Sequence, residues 1–319
     1  MVKIAVLDDY QRVARDCADW SSLPDDAKVS FFHDHLAEEG AVAERLRDFE
    51  IVGIMRERTP FTRSLIERLP KLRLLVTTGV LNASIDVAAA QDQGVTVCGT
   101  PAPGHATAEL AFGLILALAR NLVFEAGAMK SGGWQTTVGR DLHGATLGII
   151  GLGRLGGRIA AMAQAADMRV IAWSQNLTAE RAAECGVQAV TKEALLSEAD
   201  FITIHLKLSA RTRNVIDAEA LALMKPSAYL VNTSRGPIVN EDALVAALEE
   251  RRIAGAAIDV YDHEPVAPDH RLRRLDNLLA TPHIGYVTRE TYQVFYGGVV
   301  EAISAFLRGE PVRVIRPPD

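Results

Sequence analysis

Residues Thr146 to Gly156 read Thr-Leu-Gly-Ile-Ile-Gly-Leu-Gly-Arg-Leu-Gly, and no other stretch restricts the fold of this chain so tightly. A short apolar run with two β-branched residues predicts a buried strand. It runs into Gly151-x-Gly153-x-x-Gly156, after which Arg158–Ala166 carries Ile159, Met162, Ala163 and Ala166 at helical spacing. In such a strand–turn–helix each glycine has its own task. Gly151 makes the tight turn, Gly153 lets backbone approach a pyrophosphate, and Gly156 lets the helix pack on the strand. The helix N-terminus then offers unpaired N–H groups and the positive end of its dipole to the phosphates. With both flanks in place, the pattern predicts a Rossmann dinucleotide-binding unit and not merely a glycine-rich turn.

A second strand is expected at Met168–Trp173, and an NAD-binding unit commonly carries an acidic residue at its end for the ribose diol. Here the strand is followed by Ser174, Gln175 and Asn176, with no carboxylate. Ser174 can bond either a diol or a 2′-phosphate. Arg154 and Arg181 are the nearby cations. The cofactor is therefore expected to be NAD or NADP, with the missing carboxylate tilting the expectation towards NADP.

The remaining features narrow the class of protein. A length of 319 residues suggests about two domains, and 49% hydrophobic with 23% charged residues is ordinary globular composition. The net charge of −6 gives no reason to expect nucleic acid or an anionic membrane as partner. Cys17, Cys98 and Cys185 are scattered, as in a reducing compartment, without a disulfide framework or a zinc motif. Lys3–Leu7 already reads as a strand and no signal peptide is visible, so a cytoplasmic location is expected. The longest apolar run, Leu110–Ala119, is too short to span a bilayer.

Along the first hundred residues strand and helix signals alternate. Strands are predicted at Ile4–Leu7, Val29–Phe32, Ile51–Ile54, Leu72–Val76 and Val95–Val97. Helices are predicted at Tyr10–Asp16, Ala37–Asp48, Thr62–Leu69 and Val87–Gln93. A Pro/Gly segment, Gly99–Gly104, marks a hinge. A helix over about Ala106–Lys130 follows, apolar nearly all round and so expected to be buried at a domain or subunit contact. Further strands are predicted at Asp200–Leu206, Ala228–Asn232, Gly255–Val260 and Leu278–Ala280. A last helix over Thr288–Arg308 is expected to return to the first domain. The fold class is α/β: two doubly wound parallel-sheet domains, a flavodoxin-like one formed by 1–101 plus 288–319 and an inserted Rossmann domain over 102–287.

In open parallel sheets ligands bind beyond the carboxyl ends of the strands, which draws attention to three segments. In Val231–Gly236, Arg235 can hold a carboxylate through a bidentate, charge-assisted pair. In Ile258–Pro265, Asp259 sits inside an apolar run and Glu264 follows in a loop. In Thr281–Tyr286, His283 follows a strand directly, and an imidazole is the side chain best suited to move a proton near neutrality. Taken singly, these are as readily a salt bridge, a turn acid and a structural histidine.

Together they resemble the D-isomer-specific 2-hydroxyacid dehydrogenases, over nearly the whole chain and most strongly in Leu147–Gly157, Asn232–Leu244, Gly255–Pro265 and Thr281–Gly285. The resemblance implies that Arg235 binds the substrate carboxylate, that His283 is the acid/base, and that Glu264 bonds to His283 and fixes its tautomer. It implies a cofactor lined by Thr107, Gly151, Gly153, Arg154, Leu155, Gly156, Ser174, His205, Leu206, Thr233, Asp259 and His283. Thr78, Gly79 and Val80 would give backbone N–H groups to the substrate carboxylate, and domain closure would exclude water. The implied substrate is a small 2-keto or D-2-hydroxy acid, such as glyoxylate or hydroxypyruvate, and the implied assembly a homodimer with Ala106–Gly144 as its arm.

The chain departs from the family pattern at Leu81-Asn82, where a glycine is common; Leu81 would reshape the pocket and Asn82 add a donor. Arg56 and Arg58 are either solvent-facing or directed at a second anionic group. His33 and His35 form an H-x-H pair without an evident third metal ligand, so no metal is expected. His263 neighbours Glu264 but is expected to point elsewhere, and His105 and His143 read as loop residues. Phosphoglycerate dehydrogenase is the second enzymatic reading, ranked lower because of Leu81 and because no regulatory domain follows residue 319. Formate dehydrogenase is disfavoured by Glu264, since that branch typically has glutamine there. A non-enzymatic nucleotide-sensing protein of the same fold is the alternative of a different class.

Overall fold

The computed structural model describes residues 1–317; Pro318 and Asp319, part of the expected first domain, lie outside them. The chain forms two compact units, Met1–Pro103 with the chain from Val287 onward, and Gly104–Tyr286.

The first unit begins with β1 (Val2–Val6), β2 (Ala27–Phe31), α1 (Glu39–Leu46), β3 (Ile51–Ile54), α2 (Arg63–Glu67), β4 (Leu74–Thr77), α3 (Val87–Asp92) and β5 (Thr96–Gly99). All pairings in this sheet are parallel, in the order β2-β1-β3-β4-β5. The expected helix over Tyr10–Asp16 does not form. The Asp9 carboxylate accepts the N–H groups of Val13 and Ala14, and Arg12 adopts φ +59°, so side-chain bonding displaces the helical ladder with a run of turns.

The second unit holds α4 (Ala106–Ala119), α5 (Leu122–Lys130), β6 (Thr146–Ile150), α6 (Arg154–Ala165), β7 (Arg169–Trp173) and α7 (Ala179–Glu184). It continues with β8 (Gln188–Ala189), α8 (Lys192–Glu198), β9 (Phe201–Ile204), α9 (Ala218–Leu223), β10 (Tyr229–Asn232), α10 (Glu241–Glu249), β11 (Gly255–Ile258) and β12 (Leu278–Ala280). Its seven strands pair in parallel in the order β12-β11-β10-β9-β6-β7-β8. One face carries Leu147, Ile149, Phe201 and Val231 against α4 and α6; the other carries Ile150, Ile202, Ile204 and Leu230 against α8, α9 and α10. The period of two, with both faces apolar, is what a parallel sheet covered on both sides requires.

Two expectations are corrected here. The helix predicted to run unbroken over Ala106–Lys130 is two helices, bent by 63°. The break falls at Asn121, which takes φ +49°, a left-handed conformation that asparagine tolerates better than most residues. Of the two, only α4 has buried residues. No residue of α5 is buried, and Leu122, Val123, Phe124 and Met129 are each more than half exposed. No single helix among the described residues is long and apolar enough to cross a membrane. The helix after the glycine turn begins at Arg154 rather than Arg158, so Gly156 and Gly157 belong to its first turns.

The chain then returns to the first unit as α11 (Arg289–Leu307), capped by the Thr288 hydroxyl. Its Val299, Val300, Ala302 and Ile303 cover one face of the first sheet against Ile4, Ile51, Leu74 and Val76, while α1, α2 and α3 cover the other. Two adjacent helical glycines in α11 have opposite surroundings. A Cβ on Gly298 would lie 2.8 Å from Thr100 Cβ, whereas one on Gly297 would meet nothing within 4 Å. Gly297→Ala is expected to stabilise the protein by up to about 1 kcal/mol through helix propensity. Gly298→Ala is expected to destabilise it by about 1–3 kcal/mol through overpacking. Urea unfolding of both variants checks the sign of each.

Candidate active site

Six strands of the second unit end in one row. The register aligns Trp173 with Ile150, Ile150 with Ile204, Ile204 with Asn232, Asn232 with Ile258, and Ile258 with Ala280. The residues one step further on are Ser174, Gly151, His205, Thr233, Asp259 and Thr281. Most of the residues singled out in the sequence therefore stand along a single carboxyl edge. The order of the sheet reverses between β6 and β9, the place where open α/β sheets take ligands, and Gly151 and His205 flank it.

The glycine turn is built as its sequence requires. Gly151 has φ +102°, and a Cβ there would come 2.6 Å from the His205 carbonyl oxygen. A Cβ on Gly156 would lie 2.2 Å from the Gly151 carbonyl oxygen, so the helix sits on the turn only because that carbon is missing. Gly153 is the N-cap of α6, makes no side-chain capping bond, and has open space where its Cβ would be. That is a cradle whose N–H groups face outward at a helix N-terminus. Arg154 packs its guanidinium against Gly104, and Leu155 packs into the apolar layer, which leaves Leu155 only its backbone to offer a ligand. Leu206 likewise packs against the core, with its Cδ2 beside Gly151.

Two buried polar atoms on this edge have no hydrogen-bond partner: His205 Nδ1 and Thr233 Oγ1. Such atoms are costly unless something else pairs with them. With the glycine cradle they fit a dinucleotide lying along the edge. The other nitrogen of His205 lies 2.8 Å from the Thr203 hydroxyl. At the ribose end, Ser174 accepts from Leu177 N–H through its carbonyl, and Gln175 donates to the Arg211 carbonyl. Of the two cations considered for this end, Arg181 pairs with Glu184 at 2.7 Å, and Arg154 has its guanidinium beside Gly104.

At the other end of the edge, His283 and Glu264 meet, with His283 Nδ1 lying 2.5 Å from Glu264 Oε2. The second oxygen of Glu264 accepts the Tyr261 N–H at 2.9 Å. The carboxylate is thus fixed from both sides, and it leaves Nε2 as the ring nitrogen turned to other business. His283 itself has φ +53°, an uncommon conformation for a non-glycine residue. Asp259 is what holds it there. Fully buried, its carboxylate accepts from the Thr281 hydroxyl at 2.6 Å, from Ile284 N–H at 2.8 Å and from Gly285 N–H at 2.7 Å, gripping the turn on both sides of His283. Burial pushes the Asp259 carboxyl upward, against the three hydrogen bonds. Thr107 adds a fourth tie by donating to the Gly285 carbonyl at 3.0 Å. This turn-holding role of Asp259 and Thr107 was not visible in the sequence. Arg235 follows β10, donates to the Ser234 carbonyl at 2.7 Å and is half-buried.

In the first unit, Thr78, Gly79 and Val80 follow β4 at its carboxyl end. Two of the three expected donors are already used: Thr78 N–H bonds to Ile54 O at 3.0 Å and Gly79 N–H to the Thr100 hydroxyl at 2.7 Å. The extra donor expected of Asn82 is also spent, on Arg56 O and Thr77 Oγ1. Leu81 is exposed. Arg56 and Arg58 are not solvent-facing. Arg58 donates to Asp8 O and lies over the Tyr10 ring, while Arg56 donates into the loop after β4. His33 and His35 pair with the buried Asp9 and Asp8. Among the described residues, no group of three or more His, Cys, Asp or Glu side chains is arranged to hold a metal ion.

Comparison with known proteins agrees with this architecture. Residues 112–285 match the family model described as D-isomer specific 2-hydroxyacid dehydrogenase, NAD binding domain. The D-3-phosphoglycerate dehydrogenase of Methanocaldococcus jannaschii is 40% identical over 271 residues, which are 84% of this chain and 51% of that protein. The chain spans about half the length of the first curated relatives it matches. A glyoxylate reductase of Korarchaeum cryptofilum is 36% identical over 277 residues, covering 84% of this chain and 83% of that one. The crystal structure of a phosphoglycerate oxidoreductase from Vibrio cholerae superposes with a TM-score of 0.92 at 36% identity, over 97% of this chain and all of the other.

The edge also sets a pH dependence. Burial lowers the His205 imidazole to about 3, whereas an unfolded histidine takes its proton near 6.5. Between those values the unfolded chain binds more protons, so this contribution is complete above about pH 6.5 and is lost as pH falls towards 3. Replacing His205 by glutamine, which can still bond to Thr203, is expected to flatten the fall of unfolding free energy between pH 6.5 and 4 by about one proton. An unaltered slope would contradict the assignment.

Proposed function

The chain belongs to the D-isomer-specific 2-hydroxyacid dehydrogenases, and from that membership we propose that it transfers a hydride between NAD(P)H and a small 2-keto acid, giving the D-2-hydroxy acid. The observation that carries the proposal is the His283–Glu264 pair on the edge that also holds the glycine cradle. A dinucleotide bound there supplies the hydride. Gly151, Gly153 and Gly156, with the N–H groups of Arg154 and Leu155, would hold its pyrophosphate; His205 and Thr233 would bond to it with their unpaired atoms, and Asp259 would meet its carboxamide.

Arg235 holds the substrate carboxylate and draws electron density from the keto oxygen. His283 gives that oxygen a proton from Nε2 during reduction and takes the hydroxyl proton during oxidation. Glu264, bonded to Nδ1, fixes the tautomer in which Nε2 can do this. In the smaller unit, Thr78, Gly79 and Val80 are proposed as donors to a substrate carboxylate. At the ribose end the absence of a carboxylate admits NADP as well as NAD, and Ser174 bonds to either.

The exposed apolar face of α5 supports a homodimer in which the Ala106–Gly144 segment meets a second copy. Three free cysteines accord with a reducing compartment such as the cytoplasm.

Initial rates with NADH and NADPH on glyoxylate, hydroxypyruvate and 3-phosphohydroxypyruvate test the reaction class, the substrate and the cofactor together. Turnover is expected for at least one pair. Cofactor binding without turnover of any keto acid would favour the nucleotide-sensing reading. Arg235→Lys should lower kcat/KM by on the order of a hundredfold, because a point charge cannot reproduce the planar fork; unchanged kcat/KM would remove the arginine from this role. Phe124→Glu is expected to shift the sedimenting species from dimer to monomer.

A further inference from the structure

Strand β3 leaves the first sheet beside β4, with Ile54 opposite Thr77, so the residues after each strand run out together. Arg56 uses this proximity fully. Its backbone N–H donates to the Thr78 hydroxyl at 2.9 Å. Its guanidinium Nη1 donates to the Thr78 carbonyl at 3.1 Å and to the Leu81 carbonyl at 3.4 Å, bridging the two ends of the turn. Nη2 is held by Glu57 at 3.3 Å. Asn82 closes the figure by donating to the Arg56 carbonyl at 2.7 Å. Gly79, at φ +91°, is a glycine for this reason as well, since a Cβ there would stand 1.8 Å from Nη1.

The consequence lies in the donors that remain. The carbonyls of Thr78 and Leu81 are turned onto the guanidinium, and the N–H groups of Thr78 and Gly79 are used internally. Among the described residues, the N–H groups of Val80 and Leu81 have no partner, and both residues are about 60% exposed. Successive free N–H groups beside a left-handed residue form a concavity suited to an anion, and here a fixed positive charge underlies it.

We propose that Arg56 is a positioning residue: it clamps the Thr78–Asn82 turn so that the Val80 and Leu81 N–H groups form a seat for the substrate's carboxylate. The proposal rests on the reading of the loop after β4 as carboxylate-binding. It moves the donors one residue along from Thr78 and Gly79. It also gives Arg56 a task distinct from contact with a second anionic group of the substrate.

The test uses the full-length protein with Arg56→Ala, Arg56→Lys and Gly79→Ala. The readouts are steady-state kinetics with the best 2-keto acid, oxamate binding by calorimetry in the presence of NAD(P)H, and cofactor affinity by fluorescence. Hydrogen exchange over residues 78–82 is followed in parallel. Arg56→Ala is expected to speed exchange in the loop and to weaken both KM for the keto acid and oxamate binding by on the order of tenfold, with cofactor affinity unchanged. Arg56→Lys should recover only part of the loss, because a single ammonium nitrogen would have to serve both carbonyls and Glu57, which the planar guanidinium divides between Nη1 and Nη2. Gly79→Ala should mimic Arg56→Ala, and the double variant should be no worse than either, since both remove the same clamp.

Faster loop exchange with unchanged KM and oxamate affinity would overturn the proposal, leaving the arginine a purely structural brace. Full recovery by Arg56→Lys would overturn it too, in favour of charge alone. If the unaltered protein binds cofactor yet neither turns over a keto acid nor binds oxamate, the functional reading fails, and the substrate assignment of this seat fails with it. That result is distinguishable because it precedes any substitution.

Discussion

In the larger sheet the hydrogen-bonded rows stop together, and the chemistry depends on that common stop. Trp173, Ile150, Ile204, Asn232, Ile258 and Ala280 lie side by side, each tied to the next strand by parallel pairing. Both faces of the sheet are buried, so a slip of one residue in any strand would exchange the side chains that face α4 and α6 with those that face α8, α9 and α10. Packing on two sides thereby fixes, to within one residue, which groups emerge at the edge. The site inherits its precision from the core. The polar residues did not have to find each other through long side chains; the backbone delivers them in a row.

What happens past the row depends on buried polar groups that serve one another. Asp259 is fully buried, yet its carboxylate accepts from one hydroxyl and two N–H groups, and those bonds hold His283 at a positive φ. The usual cost of such a backbone conformation is on the order of 1–3 kcal/mol, comparable to what the hydrogen bonds to a buried charge return. Glu264 then turns the ring. The histidine is thus positioned by two carboxylates with separate duties, one acting on the main chain and the other on the side chain.

Much of this was legible in the sequence. The glycines announced themselves because their absence of a side chain is itself a geometric demand, and each of Gly151 and Gly156 proves to face backbone at distances no Cβ could occupy. Arg235, Glu264 and His283 could be placed after strands because apolar runs and their ends are visible in one dimension. Side-chain bonding to backbone was not. It replaced a helix at Asp9 with turns, spent the donors of Asn82 and Gly79 inside the first unit, and recruited Asp259 and Thr107 to grip a turn. Most of these bonds join residues far apart in the chain, and even the local one at Asp9 leaves no trace in the apolar periodicity. The bend at Asn121 escaped for a different reason: one left-handed residue is enough to redirect a helix whose apolar pattern continues unbroken.

The route of the chain through the smaller unit also sets an order of events in synthesis. Its sheet is complete at β5, but the layer that covers Ile4, Ile51, Leu74 and Val76 arrives with Val299 and Ile303 of α11, roughly 200 residues later. At 5–20 residues per second, the ribosome needs tens of seconds to bridge that gap. The larger unit, contiguous from Gly104 to Tyr286, is made entirely within it. The nascent chain therefore carries one sheet face covered only in part, by Trp20 and Leu23, while its neighbour folds, and the last helix to emerge is the one that ends its exposure to chaperones and to other nascent chains.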